Sequence, residues 1–487
     1  MNILKNSLTI SFITLCSRVT GYLRDILFAY FFGATAVFDL LIYSMKLPLY
    51  FKTIFFDTAF NNAFIPKIFA IKNDHLYDNE LLEFIYKVFF IFLILVIPTL
   101  IIFQIYAENI LYYLSPGFFL YDDFKLYVLI SRIIFPYLIF ILINAFLISI
   151  LNSGFKFALA ASMQVLLNLA IIIAIFISYN FNLNILITTS ISILIGGLLQ
   201  SFILFKNINI KFKLIKFFFI KNINVSNFFK QYLPGIIISG LITINKMFAF
   251  WIATFYISSV SYLYYADRLF ELPHSILSIA LATVLLPSIS NFIINKDFTS
   301  ALTVQRKSFS YCLYFIIPVT LFFIIYPELF VASLFQRGTF DIYATRETSI
   351  LLSGFAVGMP AYSLSVILTP YFFATKKLKT LFYLSSSIIL LNIIVIYFFQ
   401  SYYGYRAITY GLSVSTWIFT ISLICLMYKY NFKFIDRETA IIIIKIFFFN
   451  IFLFIFLHLE YLYLNKFINS HLILTIILII SGIFLYL

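Results

Sequence analysis

Charged residues are scarce in this chain of 487 residues, where Asp, Glu, Lys and Arg together make up 11%. A soluble domain is about a quarter charged and about half apolar, whereas 63% of these residues are hydrophobic. The hydrophobic residues run in blocks long enough to cross ~30 Å of bilayer hydrocarbon, which takes about 20 helical residues. A soluble fold of this length could not cover so much apolar surface, so the sequence predicts a protein whose solvent is the bilayer.

Metal-ligating residues are also few and scattered. The three cysteines, Cys16, Cys312 and Cys425, lie far apart inside hydrophobic segments, and none has a partner at metal-ligand spacing. We interpret them as small buried hydrophobic residues. The four histidines are equally dispersed, at His75, His274, His458 and His471. The sequence therefore predicts neither a metal site nor a bound cofactor.

Motifs of several membrane-protein classes are missing as well. The sequence has no phosphate-binding loop of the P-loop type, so the chain is not expected to hydrolyse ATP by itself. It also has no selectivity-filter motif and no paired aspartates or histidine cluster typical of a lipid-modifying active site. We therefore expect a transporter rather than an enzyme, driven by the membrane potential or by an ion gradient.

Hydrophobic segments long enough to be helices divide the chain. The first contains Arg18 and Arg24 and is too long for the core of a cleavable signal peptide, so we expect a retained helix. The sequence predicts fourteen such segments, at about 7–32, 36–70, 84–106, 126–151, 157–178, 183–205, 232–257, 263–293, 308–326, 348–374, 379–399, 406–428, 439–459 and 470–487.

Basic residues concentrate in every second connection between these segments. The connection between the sixth and seventh carries six lysines and no acid, and those after the eighth, tenth and twelfth are also basic. The alternate connections, such as 107–125, are acidic or uncharged. This is the positive-inside pattern, and it places both termini in the cytoplasm. The net charge of +14 is thus explained by topology and by attraction to anionic lipids, with no nucleic acid partner.

The chain also shows a weak internal repeat. Pro48 in the second segment is followed eighteen residues later by Pro66, and Pro273 in the eighth is followed fourteen residues later by Pro287. The fourth and tenth segments match through a proline and a following basic connection. A shift of six helices preserves orientation, as in transporters with parallel repeats. We predict an N-terminal six-helix lobe at 1–205, a basic cytoplasmic linker at 206–230, a C-terminal six-helix lobe at 231–430 and two extra helices at 431–487.

Charged residues nevertheless occur inside the predicted segments. Each costs about 2.5–3.5 kcal/mol at the centre of a membrane helix, so they are expected to face a protein interior or a water-filled cavity. Of the twelve charges singled out here, seven are basic and five acidic, a surplus that suits an anionic ligand. They are Arg18, Arg24, Asp25, Asp39, Lys46, Lys52, Asp57, Lys246, Asp267, Arg268, Glu271 and Lys445.

Because arginine grips phosphate through a planar fork of donors, these cations favour a phosphate-bearing substrate. We predict substrate contacts for Arg18, Arg24, Lys52 and Arg268. The acids have an alternative role as internal ion-pair partners, and Lys246 and Lys445 an alternative as lysines that snorkel to the interface. Bend points that would support gating are expected near Gly21, Pro48 and Pro273.

The first two segments carry a long ordered block that resembles one family. It reads Ser17-Arg18-Val19-Thr20-Gly21-Tyr22-Leu23-Arg24-Asp25, Phe32-Gly33-Ala34, Asp39, Lys46-Leu47-Pro48 and Asp57-Thr58-Ala59-Phe60-Asn61-Asn62-Ala63-Phe64-Ile65-Pro66. The second half adds Tyr265-Ala266-Asp267-Arg268-Leu269, Leu285-Leu286-Pro287-Ser288 and Leu334-Phe335-Gln336-Arg337-Gly338, and Ser115-Pro116-Gly117-Phe118 fits as well. Over essentially the whole chain, the sequence resembles the MurJ (MviN) family of bacterial lipid II flippases.

The resemblance implies a fold and a function. The fold is that of the MOP flippase superfamily: all-α, with about fourteen transmembrane helices in two six-helix lobes related by a pseudo-two-fold axis, plus two helices that form a groove for a lipid tail. The function is export of undecaprenyl-diphosphate-linked peptidoglycan precursor across the bacterial inner membrane, with the cell-wall synthesis machinery as a compatible partner. Family cavity arginines fall on Arg18, Arg24 and Arg268, with further matches at Asp39, Glu271, Lys46 and Lys445.

The sequence departs from the family pattern in places. Lys52 stands where the family usually has arginine, Asp57 where it has glutamate, and Leu49 where it has asparagine. Lysine keeps the charge at position 52 but lacks the bidentate fork. A sodium site proposed for some relatives needs an acid in the seventh helix, where this chain has Asn245 and Lys246.

Two other readings stay open on the sequence. One is a flippase of other polyprenyl-linked oligosaccharides, or an exporter related to MATE drug transporters, although a cationic-drug exporter would line its cavity with acids. The other is a membrane glycosyltransferase or polymerase, which would need paired carboxylates in an extramembrane loop. The connections at 107–125 and 327–347 contain such acids but are short for a catalytic domain.

Overall fold

The structure, a computed structural model, describes residues 3–73, 78–121, 123–154, 156–208, 225–468 and 470–486. Within these ranges the regular structure is helical and contains no β-strand. Nine helices of the described part are long and apolar enough to cross a membrane. The predicted all-α polytopic fold is therefore confirmed. Most of the predicted basic linker at 206–230 lies outside the described residues.

The described chain forms a succession of helices joined by short connections. They are α1 (Ile3–Phe32), α2 (Ala36–Phe51), α3 (Thr58–Asn73), α4 (Asp78–Leu114), α5 (Phe124–Ile134), α6 (Tyr137–Ser153), α7 (Phe157–Asn180), α8 (Ile185–Lys206), α9 (Ser226–Ala253), α10 (Ser259–His274), α11 (Ala280–Ile294), α12 (Phe298–Ile325), α13 (Pro327–Phe335), α14 (Ile342–Ala374), α15 (Leu378–Tyr403), α16 (Ala407–Lys429), α17 (Arg437–Leu464) and α18 (His471–Tyr486).

Several predicted segments are broken helices. The segment 36–70 consists of α2, a π-turn at Lys52–Phe56 and α3. The segment 263–293 is built in the same way, from α10, a π-turn at Ser275–Ile279 and α11. Proline lies in the last turns of α2 and α10 and removes one backbone donor from each helix. The two halves of the chain thus share one irregular element, which supports the predicted repeat.

Contacts divide the chain into two units. The first comprises residues 1–28 and 35–257, and the second comprises residues 29–34 and 258–487. α9 groups with the first unit, although the sequence-based division begins the C-terminal lobe at residue 231. The division into lobes, linker and extra helices itself stays a prediction.

An aromatic core explains the position of α9 in the first unit. Phe60 of α3 is fully buried, and its ring centroid lies 4.7 Å from those of Phe64 and Phe146. From α9, the rings of Phe228 and Tyr232 lie 6.1 and 6.3 Å from that of Phe60. Each buried aromatic ring removes a large apolar area and adds an edge-to-face or stacked contact. The start of α9 is therefore held to α3 and α6.

Polar contacts fix α17 in the second unit. Asp436 precedes α17, and its Oδ1 accepts a hydrogen bond from the backbone N–H of Thr439 at 2.8 Å. Hydrogen bonds from Thr439 lower the pKa of Asp436, and the neighbouring Arg306 guanidinium lowers it further. Arg306 of α12 contacts Asp436 Oδ2 at 2.7 Å and donates from Nε to the Phe434 carbonyl at 2.8 Å. One arginine thus joins α12 to the start of α17.

A proline in α12 leaves a backbone carbonyl free to accept a hydrogen bond from α18. Pro318 in α12 has no N–H to bond the carbonyl one turn earlier, which belongs to Tyr314. Tyr486, at the end of α18, donates its hydroxyl to that carbonyl, and the Tyr314 hydroxyl donates back to the Tyr486 carbonyl at 2.6 Å. The reciprocal pair satisfies the freed acceptor and anchors α18 on α12.

Replacing Phe60 by alanine is expected to destabilise the first unit. The substitution leaves a cavity in a closely packed aromatic core, which lowers the free energy of unfolding by about 3–5 kcal/mol. Unfolding of the purified protein in detergent measures the change. Phe202→Ala is the matched control, because Phe202 is 65% exposed on α8. Equal loss of stability in both variants would contradict the importance of the core.

Candidate functional site

Arg24 and Asp25 form a buried ion pair near the end of α1. Arg24 is 6% and Asp25 2% exposed. The guanidinium donates to Asp25 Oδ1 from Nε at 3.0 Å and from Nη2 at 2.7 Å. Its carbon also lies 5.5 Å from the ring centroid of Phe28, one turn further on. The charge of Arg24 is therefore balanced inside the protein by its neighbour in sequence.

Asn168 of α7 completes the setting of Arg24. Its Oδ1 accepts from Arg24 Nη1 at 2.9 Å. Its Nδ2 donates to the Ser17 carbonyl and to Thr20 Oγ1, both at 3.3 Å. A β-carbon at Gly21 would lie 3.5 Å from the same nitrogen, in ordinary van der Waals contact. One amide thus holds the backbone of α1 and the guanidinium together, and α1 continues as a helix through Gly21.

The other predicted cations of the first unit lie in different settings. Arg18 is half-buried on α1. Lys46 of α2 places its Nζ 3.7 Å from the ring centroid of Phe250 on α9, a cation–π contact. Lys52 is half-buried and begins the π-turn that follows α2. Compared with the enclosed pair at Arg24, Arg18 and Lys52 are therefore more accessible.

Two acids mark the ends of the broken helix. Asp39 is fully buried in the first turn of α2, where the positive end of the helix dipole favours a carboxylate. Asp57 ends the π-turn with φ −96° and ψ −119°, which is not helical. Pro48 lies one turn before Lys52. The sequence-predicted charges of this segment therefore lie on an element whose backbone bonding changes within a few residues.

In the second unit, α10 carries the corresponding charges. Arg268 Nη1 contacts Glu271 Oε2 at 3.5 Å, and both side chains are more than one-third exposed. The Arg268 guanidinium carbon lies 5.0 Å from the ring centroid of Tyr264. Asp267 is also half-buried on this helix. A half-exposed pair at this distance is weak, so Arg268 and Glu271 can exchange partners at low energetic cost.

The surroundings of Lys445 differ from those of the other predicted site residues. It is exposed on α17, whose neighbouring residues Ile444, Phe447 and Phe448 are also exposed. About 12 Å of helix separates it from the start of α17 at Arg437. An apolar stem with a charged end in such a position matches the snorkelling alternative.

A narrow apolar pocket opens beside α17. It is largely open to the surface, and Asn450 is the one polar amide in its lining. Asn450 Nδ2 donates to the Tyr486 hydroxyl at 3.2 Å, so the amide also holds α18. The lining residues come from α12 and α17 and from Tyr326 between α12 and α13: Pro318, Leu321, Phe322, Tyr326, Asn450, Leu453, Phe454 and Leu457.

Sequence reasoning missed a second enclosed ion pair. Glu347 lies inside α14 and not in a loop, and its side chain is 5% exposed. Arg406 Nη2 donates to both carboxylate oxygens at 2.9 Å, and the Tyr405 hydroxyl donates to Oε2. A carboxylate occupied in this way cannot act in sugar transfer, which removes one acid from the polymerase reading. In the described part of the chain, no cluster of three or more His, Cys, Asp or Glu could hold a metal.

Comparison with known proteins identifies relatives over almost the whole chain. The family model described as "Lipid II flippase MurJ" matches residues 28–481. A Rickettsia prowazekii (strain Madrid E) protein described as "Probable lipid II flippase MurJ" is 29% identical over 444 residues, covering 89% of this chain and 84% of the relative.

Solved structures agree with this result. One titled "Lipid II flippase MurJ, inward closed conformation" has a TM-score of 0.82 and 25% identity, covering 98% of this chain and 97% of that one. An inward-facing multidrug resistance MATE family transporter of the MOP superfamily has a TM-score of 0.72 and 12% identity, covering 89% of this chain and 98% of that one, and shares the fold. The expected family is confirmed.

Replacing Asn168 by alanine is expected to loosen Arg24. The substitution removes a buried acceptor from Nη1 and a donor from the Ser17 carbonyl, which lowers the free energy of unfolding by about 1–3 kcal/mol. Unfolding in detergent measures the loss, with Asn295→Ala as control because Asn295 is an exposed asparagine. Equal stability of both variants would show that the amide does not hold the cluster.

Proposed function

Because the chain belongs to the lipid II flippase MurJ family, we propose that it carries lipid II from the cytoplasmic to the periplasmic leaflet of the bacterial inner membrane by alternating access. In this proposal a cationic cavity binds the diphosphate of the headgroup. The protein acts as a transporter and performs no covalent chemistry on the lipid.

The cation surplus of the first unit carries the proposal. The charges singled out in the membrane segments of that unit comprise five cations (Arg18, Arg24, Lys46, Lys52 and Lys246) and three acids (Asp25, Asp39 and Asp57). A diphosphate supplies the missing negative charge, and cations enclosed in a medium of low dielectric constant attract it strongly. Arg18 and Lys52 are accessible enough to contact a ligand directly.

Arg24 has a different part in this proposal. Asp25 already occupies its Nε and Nη2, so a phosphate oxygen must compete with that carboxylate. Such an exchange ties headgroup binding to a rearrangement at Gly21 and Asn168. Arg24 thereby contacts the ligand and also links its binding to a change in the structure of α1.

The broken helices supply the moving parts. Each π-turn has a shifted hydrogen-bond pattern and begins within about one helical turn after a proline, and π-turns inside helices are frequent at functional sites. Lys52 and Asp57 flank the turn after Pro48, so movement of α2 against α3 would change their positions. On α10, Arg268 provides a further phosphate contact once its weak pair with Glu271 opens, with Asp267 as its neighbour. Lys46 and Asp39 hold α2 in place.

The last two helices serve the lipid tail. The apolar surface beside α17 suits a polyprenyl chain, because such a chain can lie along it without any polar group of either partner being left in hydrocarbon. Lys445 would then lie near headgroup level. The basic connections place both termini in the cytoplasm. The membrane potential or an ion gradient supplies the energy, and the cell-wall synthesis machinery is the expected partner.

Removal of both arginines of α1 tests the cationic cavity. A strain depleted of its own lipid II flippase is expected to grow with the wild-type chain and to fail with Arg18→Ala combined with Arg24→Ala. The physical reason is the loss of two charges, each of which contributes about 1.5–3 kcal/mol in a hydrogen bond to an ionised partner. Colony counts and the amount of lipid II in the cytoplasmic leaflet provide the measurement.

The control is Lys296→Ala, which removes a cation from an exposed loop. Membrane levels of all variants are compared by immunoblot. Full rescue by the double arginine variant at normal level would contradict the cavity assignment, and failure of the wild-type chain to relieve lipid II accumulation would contradict the flippase function.

A further inference from the structure

His274 occupies an unusual place in the second unit. It ends α10, directly after Pro273 and directly before the π-turn at Ser275–Ile279, and it is 6% exposed. Histidine is the side chain whose charge changes most readily near neutral pH. A buried imidazole at a break in a membrane helix therefore places a proton acceptor where the backbone is least regular.

The ring lies in an aromatic slot and contacts a hydroxyl group of α14. Its centroid is 6.1 Å from that of Phe270 in a nearly parallel stack, and 4.4 Å from that of Tyr362 at an interplanar angle of 75°. Nδ1 is 3.2 Å from Ser363 Oγ. A hydroxyl both donates and accepts, so Ser363 can bond Nδ1 whether or not that nitrogen carries a proton. The aromatic faces favour a cation through their quadrupoles.

His274 is also the buried end of a column of ionisable groups. Asp267, Glu271 and His274 lie at positions i, i+4 and i+7 of α10, which fall on one face of a helix. The Glu271 side chain is 39% exposed, whereas His274 is almost fully enclosed. Chains of Asp, Glu and His within membrane helices are typical of proton pathways. Glu271 is thus the accessible member of this column, and His274 lies one turn further along the helix.

Charged groups on the elements packed against His274 are remote from it. The π-turn and α11 contain none. On α14, Arg346 and Glu347 precede Ser363 by at least sixteen residues, or about 24 Å of helix. On α12, Cys312 contacts Ser278 of the π-turn, and the charged Arg306 and Lys307 lie more than a turn nearer the helix start. On α10 itself, Glu271 lies one turn from His274 and pairs with Arg268.

We infer that His274 is a proton-binding site, loaded through Glu271, and that its protonation accompanies the conformational change which carries the lipid. Uptake forms one N–H bond on the imidazole and breaks one O–H bond of hydronium or of protonated Glu271. Release reverses both changes. The inference rests on the proposed flippase function, since it names the proton as the coupling ion.

The resulting imidazolium attracts the Glu271 carboxylate and weakens its pair with Arg268. Proton binding at the break of α10 thereby frees Arg268 for a phosphate, and proton release restores the pair. A change of one charge at a π-turn thus alters which anion Arg268 holds, without any change in the packing of α14.

Transport and proton movement are measured together in proteoliposomes. Purified protein is reconstituted with fluorescent lipid II and internal pyranine, and flipping rates are recorded from pH 5.5 to 8.5. The wild-type rate is expected to change by about tenfold per pH unit on one side of its midpoint, as for one titrating group, with lipid-dependent proton movement. His274→Gln keeps a hydrogen-bonding side chain but is expected to lose both the pH dependence and the lipid-dependent proton movement. Its flipping rate is expected to vary less than about twofold over this pH range.

The matched control is His458→Gln. His458 lies on α17, outside the column, and its Nδ1 is 2.7 Å from the Tyr326 hydroxyl. This variant is expected to keep the wild-type pH profile. If His274→Gln shows the wild-type profile and proton signal, the proton site is overturned while the flippase function stands. If the wild-type protein flips no lipid II, the flippase function itself fails.

If the His274→Gln protein is inactive, a second measurement tests whether His274 binds a proton. The chain has four histidines, so ¹³C-histidine spectra of wild type and His274→Gln assign the His274 signal directly. Titration of that signal between pH 5 and 8.5, with a midpoint displaced by Glu271→Gln, supports the inference. A His274 signal that does not titrate would overturn it.

Discussion

Every charge placed in hydrocarbon must find its partner inside the protein, and the structure of this chain is organised around that constraint. Arg24 obtains a carboxylate from its neighbour Asp25 and an amide from α7. Glu347 obtains the Arg406 guanidinium and a tyrosine hydroxyl from the turn between α15 and α16. In both cases the charged group joins helices that are distant in sequence. Because a buried charge without a partner is far costlier than a broken surface pair, these clusters fix the helix arrangement.

Backbone groups obey the same rule where helices are broken. Pro318 leaves the Tyr314 carbonyl without its helical donor, and the Tyr486 hydroxyl takes the place of that donor. Pro48 and Pro273 precede π-turns, in which the hydrogen-bond pattern shifts by one residue and keeps most groups bonded. Irregular backbone at membrane depth is tolerated only inside protein or beside water. A break that stays hydrogen-bonded can therefore serve as a hinge without exposing polar groups to lipid.

Much of this could be predicted from the sequence, because the bilayer makes hydrophobic length and charge placement unusually informative. The all-α polytopic fold followed from the long apolar segments, and the family followed from the ordered block around Arg18–Asp25. The partners of the charges could not be predicted. Asn168 lies 144 residues from Arg24, and nothing in its local sequence distinguishes it from other asparagines. Likewise, the grouping of α9 with the first unit depends on rings that meet only in the folded core.

The distribution of charge suggests a division of labour between the units. Among the membrane-segment charges singled out above, the first unit has five cations and three acids, whereas the second has two cations, Arg268 and Lys445, and two acids, Asp267 and Glu271. An anion is therefore bound most favourably by the first unit. A proton is bound most favourably by the second, where carboxylates and His274 share one helix face. On the proposals made above, the headgroup and the coupling ion bind to different units and compete for no residue except Arg268. Because Glu271 pairs with Arg268 when no phosphate does, it is the group that couples binding of the headgroup to binding of the proton.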